Sequence, residues 1–337
     1  MKRVGIRDVA RRAGVSMSSV SNALNRPERV SDDIVVRVRE AVDELGYVPL
    51  QAAQQLRVGR SGLLGMTVIN ITNPFFSDLV TGAEDAAGSG GLRVLVGNSD
   101  DDEVKEREYF ELFGRVQVEG ALVSPFGEPG ERLARRLARS IPVVLVDRVD
   151  DDGVLDSVSF DDVAGGRMAA QHLIDLGRTR LAFLGGEEGV RQVRERLAGA
   201  RQAVAATPGA RIDATFAPRT GPGWGIQLGE MIAAMPADER PDGIVTTNDH
   251  LACGVVHGLL RGGVRVPDEV AIVGYDDIDF AAVAAVPLTS VRQPAREMGR
   301  AAAERLLQLV SGAAEPAGVA IRFEPELSVR ASTVGYP

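Results

Sequence analysis

Four side chains near the N-terminus, Met17, Ser18, Ser21 and Asn22, share one face of a predicted helix and could read DNA. Small hydroxyls bind phosphates or base edges, an Asn amide pairs bidentately with adenine, and Met contacts the thymine methyl group. An ordinary Ser-rich surface helix is the alternative, because short helical pairs are common in proteins.

These side chains need a helix that can enter a groove, and the flanking residues predict one. Gly14-Val15 separates two runs of apolar residues at helical spacing, and Ser16 is placed as the N-cap of the second run. The apolar positions are Val9, Ala10, Ala13, Val20, Ala23 and Leu24. This pattern predicts a helix, a tight turn and a second helix whose outer face is free for the major groove.

A third helix is predicted directly after the pair. Ser31 is its expected N-cap, Asp32 and Asp33 lie in its first turn where the helix dipole favours carboxylates, and Gly46 ends it. Its expected apolar stripe is Ile34, Val38, Val42 and Leu45. Three short helices therefore share one small core.

The charge of the chain is distributed unevenly. Residues 1–60 hold 11 Lys and Arg against 7 Asp and Glu, a net charge of +4, whereas residues 61–337 hold 27 against 40, a net charge of −13. A basic head on an acidic body indicates a small nucleic-acid-binding module on a body that does not itself bind DNA.

Length and composition predict a cytoplasmic protein of two or three domains. The 337 residues are 45% hydrophobic, and Cys253, the one cysteine, excludes an internal disulfide. The sequence has no apolar run of 18 residues, and Met1-Lys2-Arg3 leads into a helical pattern that does not resemble a signal peptide.

From Gly62 onward, short apolar runs alternate with helical patterns. The expected strands are 63–69, 93–96, 121–123, 143–146, 181–184, 243–246 and 270–273, and the expected helices of the first half are 77–87, 103–113 and 130–140. This alternation predicts two consecutive sets of parallel strands with helices on both faces.

The chain resembles the lac repressor family (LacI/GalR) of transcriptional regulators. The likeness is dense within residues 6–56 and weaker to about residue 332, and it is carried by Arg7-Asp8-Val9-Ala10, Ala13-Gly14-Val15-Ser16, Val20-Ser21, Gly46-Tyr47-Val48-Pro49, and Ala53 with Leu56. The resemblance implies a small all-α helix-turn-helix head plus an α/β two-lobed periplasmic-binding-protein-like core with parallel sheets.

The family also implies the domain boundaries. They are a DNA-binding domain over residues 1–48, a hinge helix and linker over 49–61, and an effector-binding and dimerisation core over 62–332. Three crossing strands would join the lobes of this core, so that the N-lobe comprises about 62–161 and 293–320 and the C-lobe about 162–292 and 321–332.

By matching position, the family assigns DNA contacts to the head. Met17, Ser18 and Asn22 would read bases, and the hydroxyl and amide side chains expected to bind phosphates are Ser16, Ser19, Ser21, Asn25 and Ser31. Gly5 stands where the family usually has a Thr or Ser cap, and it supplies no side-chain acceptor.

Residues 50–57 resemble the hinge helix of the family. Pro49 suits its start and Gly59 its end, and so short a helix should fold only on DNA. Leu56 matches the leucine that enters the minor groove and bends the duplex, and Ala53 is grouped with it among the DNA-binding residues. Leu50 replaces the usual Asn, which leaves the minor-groove contacts of the hinge open.

Polar and aromatic residues follow the predicted strands, where open parallel sheets bind ligands. These residues are Asn73-Pro74-Phe75-Phe76, Asn98-Ser99-Asp100, Asp147-Arg148, Arg196, Asn248-Asp249, Asp276 and Gln293. A cleft of Asp, Asn, Arg and Gln with aromatic rings suits a sugar. Those that match the effector positions of the family are Phe75, Phe76, Asp147, Arg196, Asn248, Asp276 and Gln293.

Some of these residues also have a purely structural interpretation. Phe75 or Phe76 could belong to the core, and Asp100 or Asp249 could cap helices. For Trp224 packing is the default interpretation, because Pro218 or Arg219 lies nearer the usual effector-site aromatic.

Motifs of metal and nucleotide chemistry are missing from the sequence. His172, His250 and His257 do not have zinc spacing, and no phosphate-binding glycine loop follows a strand. The acidic runs 100–103 and 150–152 lack the ligand pattern of a calcium loop and are expected to be solvated turns and helix starts. We therefore expect no enzyme, metal site or cofactor.

We therefore expect a repressor that binds a near-palindromic operator as a homodimer. A small molecule in the cleft would control operator binding, and the favoured effector is a sugar that releases the DNA. No leucine-heptad tail follows the core, so a dimer is expected and not a tetramer. One alternative is a regulator that responds to a purine corepressor. A second, less supported alternative is a sugar-binding protein without DNA function. A sugar-modifying enzyme would need a catalytic constellation that the sequence lacks.

Overall fold

The computed structural model describes residues 4–47 and 61–336 of the chain. The chain divides into two compact units, one N-terminal to Gly62 and one that begins at Gly62. The predicted hinge helix over 50–57, with Ala53 and Leu56, lies outside the described residues.

Three α-helices form the described part of the N-terminal unit, as the sequence predicted. Their bounds, with one 3-10 turn, are α1 (Ile6–Ala13), α2 (Met17–Asn25), the turn Pro27–Arg29 and α3 (Asp32–Leu45). Gly14 and Gly46 end α1 and α3 in the left-handed conformation, with φ of +65° and +58°. The Ser16 hydroxyl accepts the Ser19 N–H at 3.0 Å and so caps α2.

The first and third helices begin without a side-chain cap. The Asp8 carboxylate accepts the N–H of Gly5 at 3.0 Å, so one backbone donor at the start of α1 is satisfied without a side chain at the N-cap. Ser31 stands at the N-cap position of α3, but its side chain makes no capping hydrogen bond. The predicted N-cap position of Ser31 is therefore confirmed, without a capping hydrogen bond from its hydroxyl.

The head core also differs in detail from the predicted pattern. The α3 side chains buried in it are Val35, Val38 and Ala41, whereas three positions of the predicted stripe are only partly buried: Ile34, Val42 and Leu45. The buried face is rotated because α1 and α2 pack together on this side of α3, which helical periodicity alone does not reveal.

Two six-stranded sheets form the larger unit. The first contains β1 (Leu63–Val68), β2 (Arg93–Asn98), β3 (Gly120–Val123), β4 (Val143–Val146), β5 (Asp156–Phe160) and β11 (Ala320–Phe323). The second contains β6 (Arg180–Gly185), β7 (Arg211–Phe216), β8 (Gly243–Thr246), β9 (Ala271–Asp276), β10 (Thr289–Arg292) and β12 (Glu326–Ser328).

Helices cover the faces of these sheets. Those of the first lobe are α4 (Pro74–Ser89), α5 (Glu103–Val116), α6 (Gly127–Leu137) and α12 (Ala295–Val310). Those of the second lobe are α7 (Asp162–Asp175), α8 (Arg191–Ala205), α9 (Pro222–Ala233), α10 (Asp249–Arg261), α11 (Asp279–Val283) and α13 (Ala331–Val334). No helix within residues 4–47 and 61–336 is long and apolar enough to cross a membrane.

The strand orders are β11-β5-β4-β3-β1-β2 and β12-β10-β9-β8-β6-β7, and every pairing is parallel except β10 with β12. The chain crosses between the lobes after β5, β10 and β11. The predicted two-lobed parallel architecture is confirmed. The approximate lobe boundary at residue 320 falls inside the structure of the first lobe, because Ala320–Phe323 pairs with β5.

Close packing of α7 against α8 fixes the helix that carries Arg196. A Cβ atom at Gly166 of α7 would overlap the carbonyl oxygen of Arg196 on α8. The glycine therefore lets the two backbones approach closely, which seats Arg196 deep between the helix pair and β9.

Candidate functional site

A cavity of about 330 Å³ opens between the two lobes at the carboxyl ends of their strands. Six of the seven effector residues expected from the sequence line it, namely Phe75, Phe76, Asp147, Arg196, Asn248 and Asp276. Gln293 lies behind this wall, where its Nε2 donates to Asp276 Oδ1 at 2.8 Å. The topology therefore brings residues about 200 positions apart into one cleft.

Arg196 is the buried cation of the cavity. Its Nε donates to Asp162 Oδ1 at 2.7 Å, its Nη1 donates to the carbonyl oxygen of Thr247, and its guanidinium carbon lies 3.7 Å from the ring centroid of Tyr275. Asp276 Oδ1 is 3.8 Å from the same Nη1. Although burial opposes its charge, these carboxylates and the ring raise the pKa of Arg196, so the guanidinium stays charged.

Two carboxylates in the cavity each accept a hydrogen bond from an amide side chain of the other lobe. Gln192 Nε2, from the second lobe, donates to Asp147 Oδ2 at 2.9 Å, and Asn73 Nδ2, from the first lobe, donates to Asp276 Oδ2 at 3.0 Å. Both aspartates have a positive φ, 57° and 99°, a conformation that L-residues rarely adopt. We call these contacts the paired amide–carboxylate bridges.

Burial governs the ionisation of both aspartates. Desolvation, with the nearby charge of Asp162, raises the pKa of Asp147 to about 8. Desolvation also raises the pKa of Asp276 to about 6, where the Arg196 charge and the hydrogen bonds from Asn73 and Gln293 limit the rise. The carboxyl group of Asp147 is therefore mostly protonated near neutral pH.

The aromatic part of the cavity wall is also part of the hydrophobic core. Phe75 and Phe76 meet edge to face, with ring centroids 5.1 Å apart, and both are buried. Phe126, which the sequence reasoning did not select, is half-buried and lines the cavity as well. The two interpretations of these phenylalanines, as core residues and as ligand contacts, are compatible, because a ring can pack on the core with one face and line the cavity with the other.

Other polar residues selected from the sequence have structural contacts. Asn98 Oδ1 accepts the Ile71 N–H at 3.0 Å, and the Ser99 hydroxyl donates to the Val68 carbonyl oxygen at 3.2 Å. Two further residues were considered as helix caps. Asp100 pairs instead with Lys105 and Arg219, and Asp249 accepts from Ile278 N–H and the Ser290 hydroxyl. Asn248 both lines the cavity and caps α10.

Trp224 lies outside the cavity lining, whereas Pro218 and Arg219 belong to it. The Trp224 side chain is 37% exposed on α9. In the acidic run 150–152, Asp151 and Asp152 form an exposed turn, as expected. Asp150 differs, because it is buried and accepts from Arg135 and from the Val154 N–H. Asp102 caps α5, as a helix start requires.

Ion pairs cross the cleft at its edges. Arg191 of the second lobe binds Asp151 of the first through two hydrogen bonds, of 2.5 and 2.8 Å. Arg219 of the second lobe lies 3.3 Å from Asp100 of the first. Together with the paired amide–carboxylate bridges, these contacts link the lobes around the cavity.

Several polar residues of the site were not selected from the sequence as effector contacts, among them Gln192, Asp162, Tyr275, His250, Asp101 and Glu187. One signal was available, because Gln192 and Arg196 are one helical turn apart and so share a face of α8. For Asp162 and Tyr275 the sequence offers no local signal, since both meet Arg196 only through the tertiary fold.

The head presents the predicted reading face on α2. Met17 is 46% exposed, Ser18 is exposed and Asn22 is half-buried. Three side chains predicted to bind phosphates already have partners: the Ser16 and Ser19 hydroxyls bond each other, and the Asn25 amide donates to the Ser21 carbonyl oxygen at 2.8 Å.

Within the described ranges, no group of three or more His, Cys, Asp or Glu side chains could hold a metal ion. His172 Nε2 lies 3.0 Å from the Thr333 hydroxyl, and His250 lines the cavity. His257 is on the same helix as His250.

Comparison with known proteins connects both units to one family. A family profile described as "Bacterial regulatory proteins, lacI family" matches residues 5–50, and a profile described as "Periplasmic binding protein-like domain" matches residues 170–333. The HTH-type transcriptional repressor PurR of Photobacterium profundum is 32% identical over 334 residues, which are 97% of this chain and 98% of that protein.

Two further similarities extend over most of the chain. The ribose operon repressor of Escherichia coli (strain K12) is 32% identical over 313 residues, 91% of this chain and 93% of that protein. The solved structure of the lac repressor dimer bound to operator and the anti-inducer ONPF superposes with a TM-score of 0.80 at 26% identity, and covers 98% of this chain and 99% of that one.

Proposed function

Since this chain belongs to the LacI family, it is a DNA-binding transcriptional repressor regulated by a small-molecule effector, and we propose that the effector is a neutral sugar that releases the operator. The effector would occupy the cavity between the lobes. The operator would be a near-palindrome bound by a homodimer in the cytoplasm. We assign no catalytic activity to the chain.

The observation that carries the sugar proposal is the pattern of donors and acceptors in the cavity. Asp147 and Asp276 supply acceptors, Arg196 and Asn248 supply donors, and phenylalanine rings line one wall. Adjacent hydroxyls of a sugar need such bidentate partners, while the apolar face of its ring packs on aromatic side chains.

The charge of the cavity favours an uncharged ligand. Four carboxyl side chains line it against two guanidinium groups: Asp101, Asp147, Glu187 and Asp276 against Arg196 and Arg219. Arg196 is already paired with Asp162, so a phosphorylated or carboxylated sugar would meet repulsion from the ionised carboxylates of the wall, even with Asp147 protonated.

We base the mechanism on the paired amide–carboxylate bridges. Hydroxyls that bind Asp147 and Asp276 would compete with Gln192 and Asn73 for the same oxygens. The effector would thereby change the free-energy difference between arrangements of the two lobes, and this difference would be coupled to operator affinity.

On the DNA side, Met17, Ser18 and Asn22 would select the sequence. The hydroxyl and amide side chains proposed to bind phosphates are Ser16, Ser19, Ser21, Asn25 and Ser31. Ala53 and Leu56 stay assigned to the minor-groove hinge on the sequence resemblance alone. Phosphate contacts would supply most of the affinity and its salt dependence.

A purine corepressor is the second candidate. The similarity to the PurR repressor favours it, and the rings of Phe75 and Phe76 could stack on a planar base as well as on a sugar. In that case the ligand would strengthen operator binding instead of weakening it.

Selection of bound fragments from sheared genomic DNA of the source organism tests the proposal. We expect the full-length chain to enrich a near-palindrome without added ligand, and a neutral sugar from a panel to release it. Enrichment that requires hypoxanthine or guanine would establish the purine alternative. The absence of enrichment under all conditions would refute operator binding.

Effector affinity should increase with pH between about 6 and 8. The pKa of the Asp147 carboxyl is about 8 in the empty cavity. A sugar hydroxyl that donates to this carboxyl favours its charged form, so sugar binding lowers the pKa and releases a proton. The dissociation constant should therefore decrease by up to about tenfold per pH unit and level off above about pH 8. Calorimetry with the releasing sugar, in buffers of different ionisation enthalpy, measures both effects.

Asp147→Asn is the matched control for this pH dependence. The variant keeps an oxygen acceptor but cannot ionise at this position, so its affinity should not vary between about pH 7 and 8, and only the Asp276 titration near pH 6 should remain. An equal pH dependence in the variant and the parent would assign the titration to another group.

An exposed apolar surface on the second lobe supports the homodimer. Phe280 and Val283 of α11 are 63% and 76% exposed. Tyr336 is 67% exposed, and its hydroxyl donates to the carbonyl oxygen of Ala285 at 2.9 Å, which places it near the end of α11. Surfaces of this kind on globular proteins commonly mark interfaces. The lac repressor, to which this chain is similar, has been solved as a dimer.

Phe280→Glu combined with Val283→Glu should convert dimers into monomers, because two like charges would face two others across a twofold interface. Light scattering after size-exclusion chromatography gives the molar mass. Val154→Glu, at a valine that is 60% exposed on the first lobe, is the control and should stay dimeric. A double variant that remains dimeric would place the interface elsewhere.

A further inference from the structure

A carboxyl group behind the cavity holds the start of one helix. Glu106 on α5 is fully buried, and its Oε1 accepts the Phe126 N–H at 3.0 Å. Phe126 is the N-cap residue of α6, and it has no side-chain acceptor of its own. Glu106 therefore supplies, from another helix, the acceptor for the N-cap N–H that the third residue of a helix provides in a capping box.

Phe126 connects this contact to the cavity. Its side chain lines the cavity and packs against the main hydrophobic core. Its backbone lies in the turn between β3 and α6, and Gly127, the next residue, has φ of +66°. The position of the ring therefore depends on how this turn is held, and the Glu106 hydrogen bond holds it directly.

Packing leaves Glu106 little room to move. A Cβ atom at Gly130, on the first turn of α6, would overlap Glu106 Oε2. The glycine thus creates the space that the carboxyl group occupies. Burial raises the pKa of Glu106 to about 7, against the opposing effect of the Phe126 hydrogen bond, with a smaller rise from Glu103. Either protonation state retains an oxygen that can accept from Phe126, so this role needs an acceptor and not a charge.

We propose that Glu106 is a positioning residue of the effector site, which fixes Phe126 so that its ring closes one side of the cavity over the bound sugar. The inference rests on the proposed function of the cavity, and it adds a residue that does not itself line the cavity. Its effect on the effector would pass through one hydrogen bond and one aromatic ring.

Four variants of the full-length protein test the proposal. Glu106→Ala removes the acceptor, and Gly130→Ala displaces it by steric overlap. Glu106→Gln retains an oxygen acceptor at the same position. Gly114→Ala, on the same helix as Glu106, is the matched glycine control, because a Cβ there meets nothing within 4 Å.

Two measurements are made on each variant. Hydrogen exchange of the Phe126 amide reports the hydrogen bond without any ligand, and calorimetry with D-ribose and D-glucose reports sugar affinity. Glu106→Ala and Gly130→Ala should each lose about tenfold or more of the amide protection and about tenfold of the sugar affinity. Glu106→Gln and Gly114→Ala should stay within about threefold of the parent in both.

The outcomes separate this proposal from the function on which it rests. Unchanged Phe126 exchange in Glu106→Ala and Gly130→Ala would overturn it, and so would lost protection with unchanged sugar affinity. If the parent protein binds neither sugar, the sugar assignment fails for these two sugars, while amide exchange alone still decides whether Glu106 holds Phe126. Operator affinity without sugar should be equal in all four variants, which excludes a general loss of folding.

Discussion

Arg196→Ala should abolish the response to effector while operator binding persists. Arg196 is the buried cation that faces Asp162 and Asp276, and its side chain is 7% exposed. Its removal takes away the donor for the effector and leaves two buried carboxyl groups without a counter-charge. Effector affinity should fall by about 100-fold or more, the loss expected when a buried charged partner is removed.

The same substitution should destabilise the core, and this effect must be measured separately. Breaking a buried ion pair costs about 3–5 kcal/mol, although protonation of the remaining carboxyls relieves part of it. The pKa of Asp276, already about 6 beside Arg196, rises further without the guanidinium. We expect the melting temperature to fall by roughly 5–10 °C, with the core still folded at about 25 °C.

Arg194→Ala is the matched control for Arg196→Ala. Arg194 is exposed on the same helix, and its Nη1 donates to the Gly189 carbonyl oxygen at 2.6 Å. Its loss should leave effector affinity unchanged and stability within about 0.5 kcal/mol. Operator release assays and thermal melts report the two quantities. If Arg196→Ala still released the operator at the parental effector concentration, the effector site would lie elsewhere.

Asn22→Ala should change which operators the protein prefers. We propose that the Asn22 amide reads a base edge, and a bidentate base contact contributes about 1–3 kcal/mol of discrimination. Binding to the preferred operator should weaken by about 10- to 100-fold, while binding to random DNA at the same salt concentration should hardly change.

Asn25→Ala provides the contrast on the same helix. Asn25 is exposed and bonds the Ser21 carbonyl oxygen, and we propose that it binds a phosphate. Its loss should weaken binding to all sequences alike and reduce the salt dependence. Selection of binding sites from random DNA distinguishes the two patterns. A uniform loss for Asn22→Ala would make Asn22 a phosphate contact as well.

Local signals were sufficient to predict the helices of the head. Gly14, Ser16 and Gly46 act on residues within one turn of themselves, so their effect can be read from neighbouring letters. The buried face of α3 was misplaced by one position, with Val35 buried instead of Ile34, because that face depends on where two other helices lie.

Strands with continuous apolar residues were also predictable, whereas others were not. β4 is four buried apolar residues and was predicted with its observed bounds. β5 was missed because its sequence, Asp-Ser-Val-Ser-Phe, is largely polar although every residue is buried. Asp156 is accommodated there by Arg305 and by the backbone N–H groups of Ala317 and Val319, partners that are 149 to 163 residues away in the chain.

For the candidate site, sequence alone determined which side chains follow the strands, and six of the seven expected effector residues line the cavity. Phe75, Asp147 and Asp276 could be selected because the carboxyl ends of parallel strands meet at one edge. Only the tertiary structure decided their partners. The bridge from Gln192 to Asp147 and the contact of Glu106 with Phe126 join different elements, 45 and 20 residues apart in the chain. Such contacts could not be predicted, because hydrogen bonding and burial depend on distance in space and leave no local periodicity.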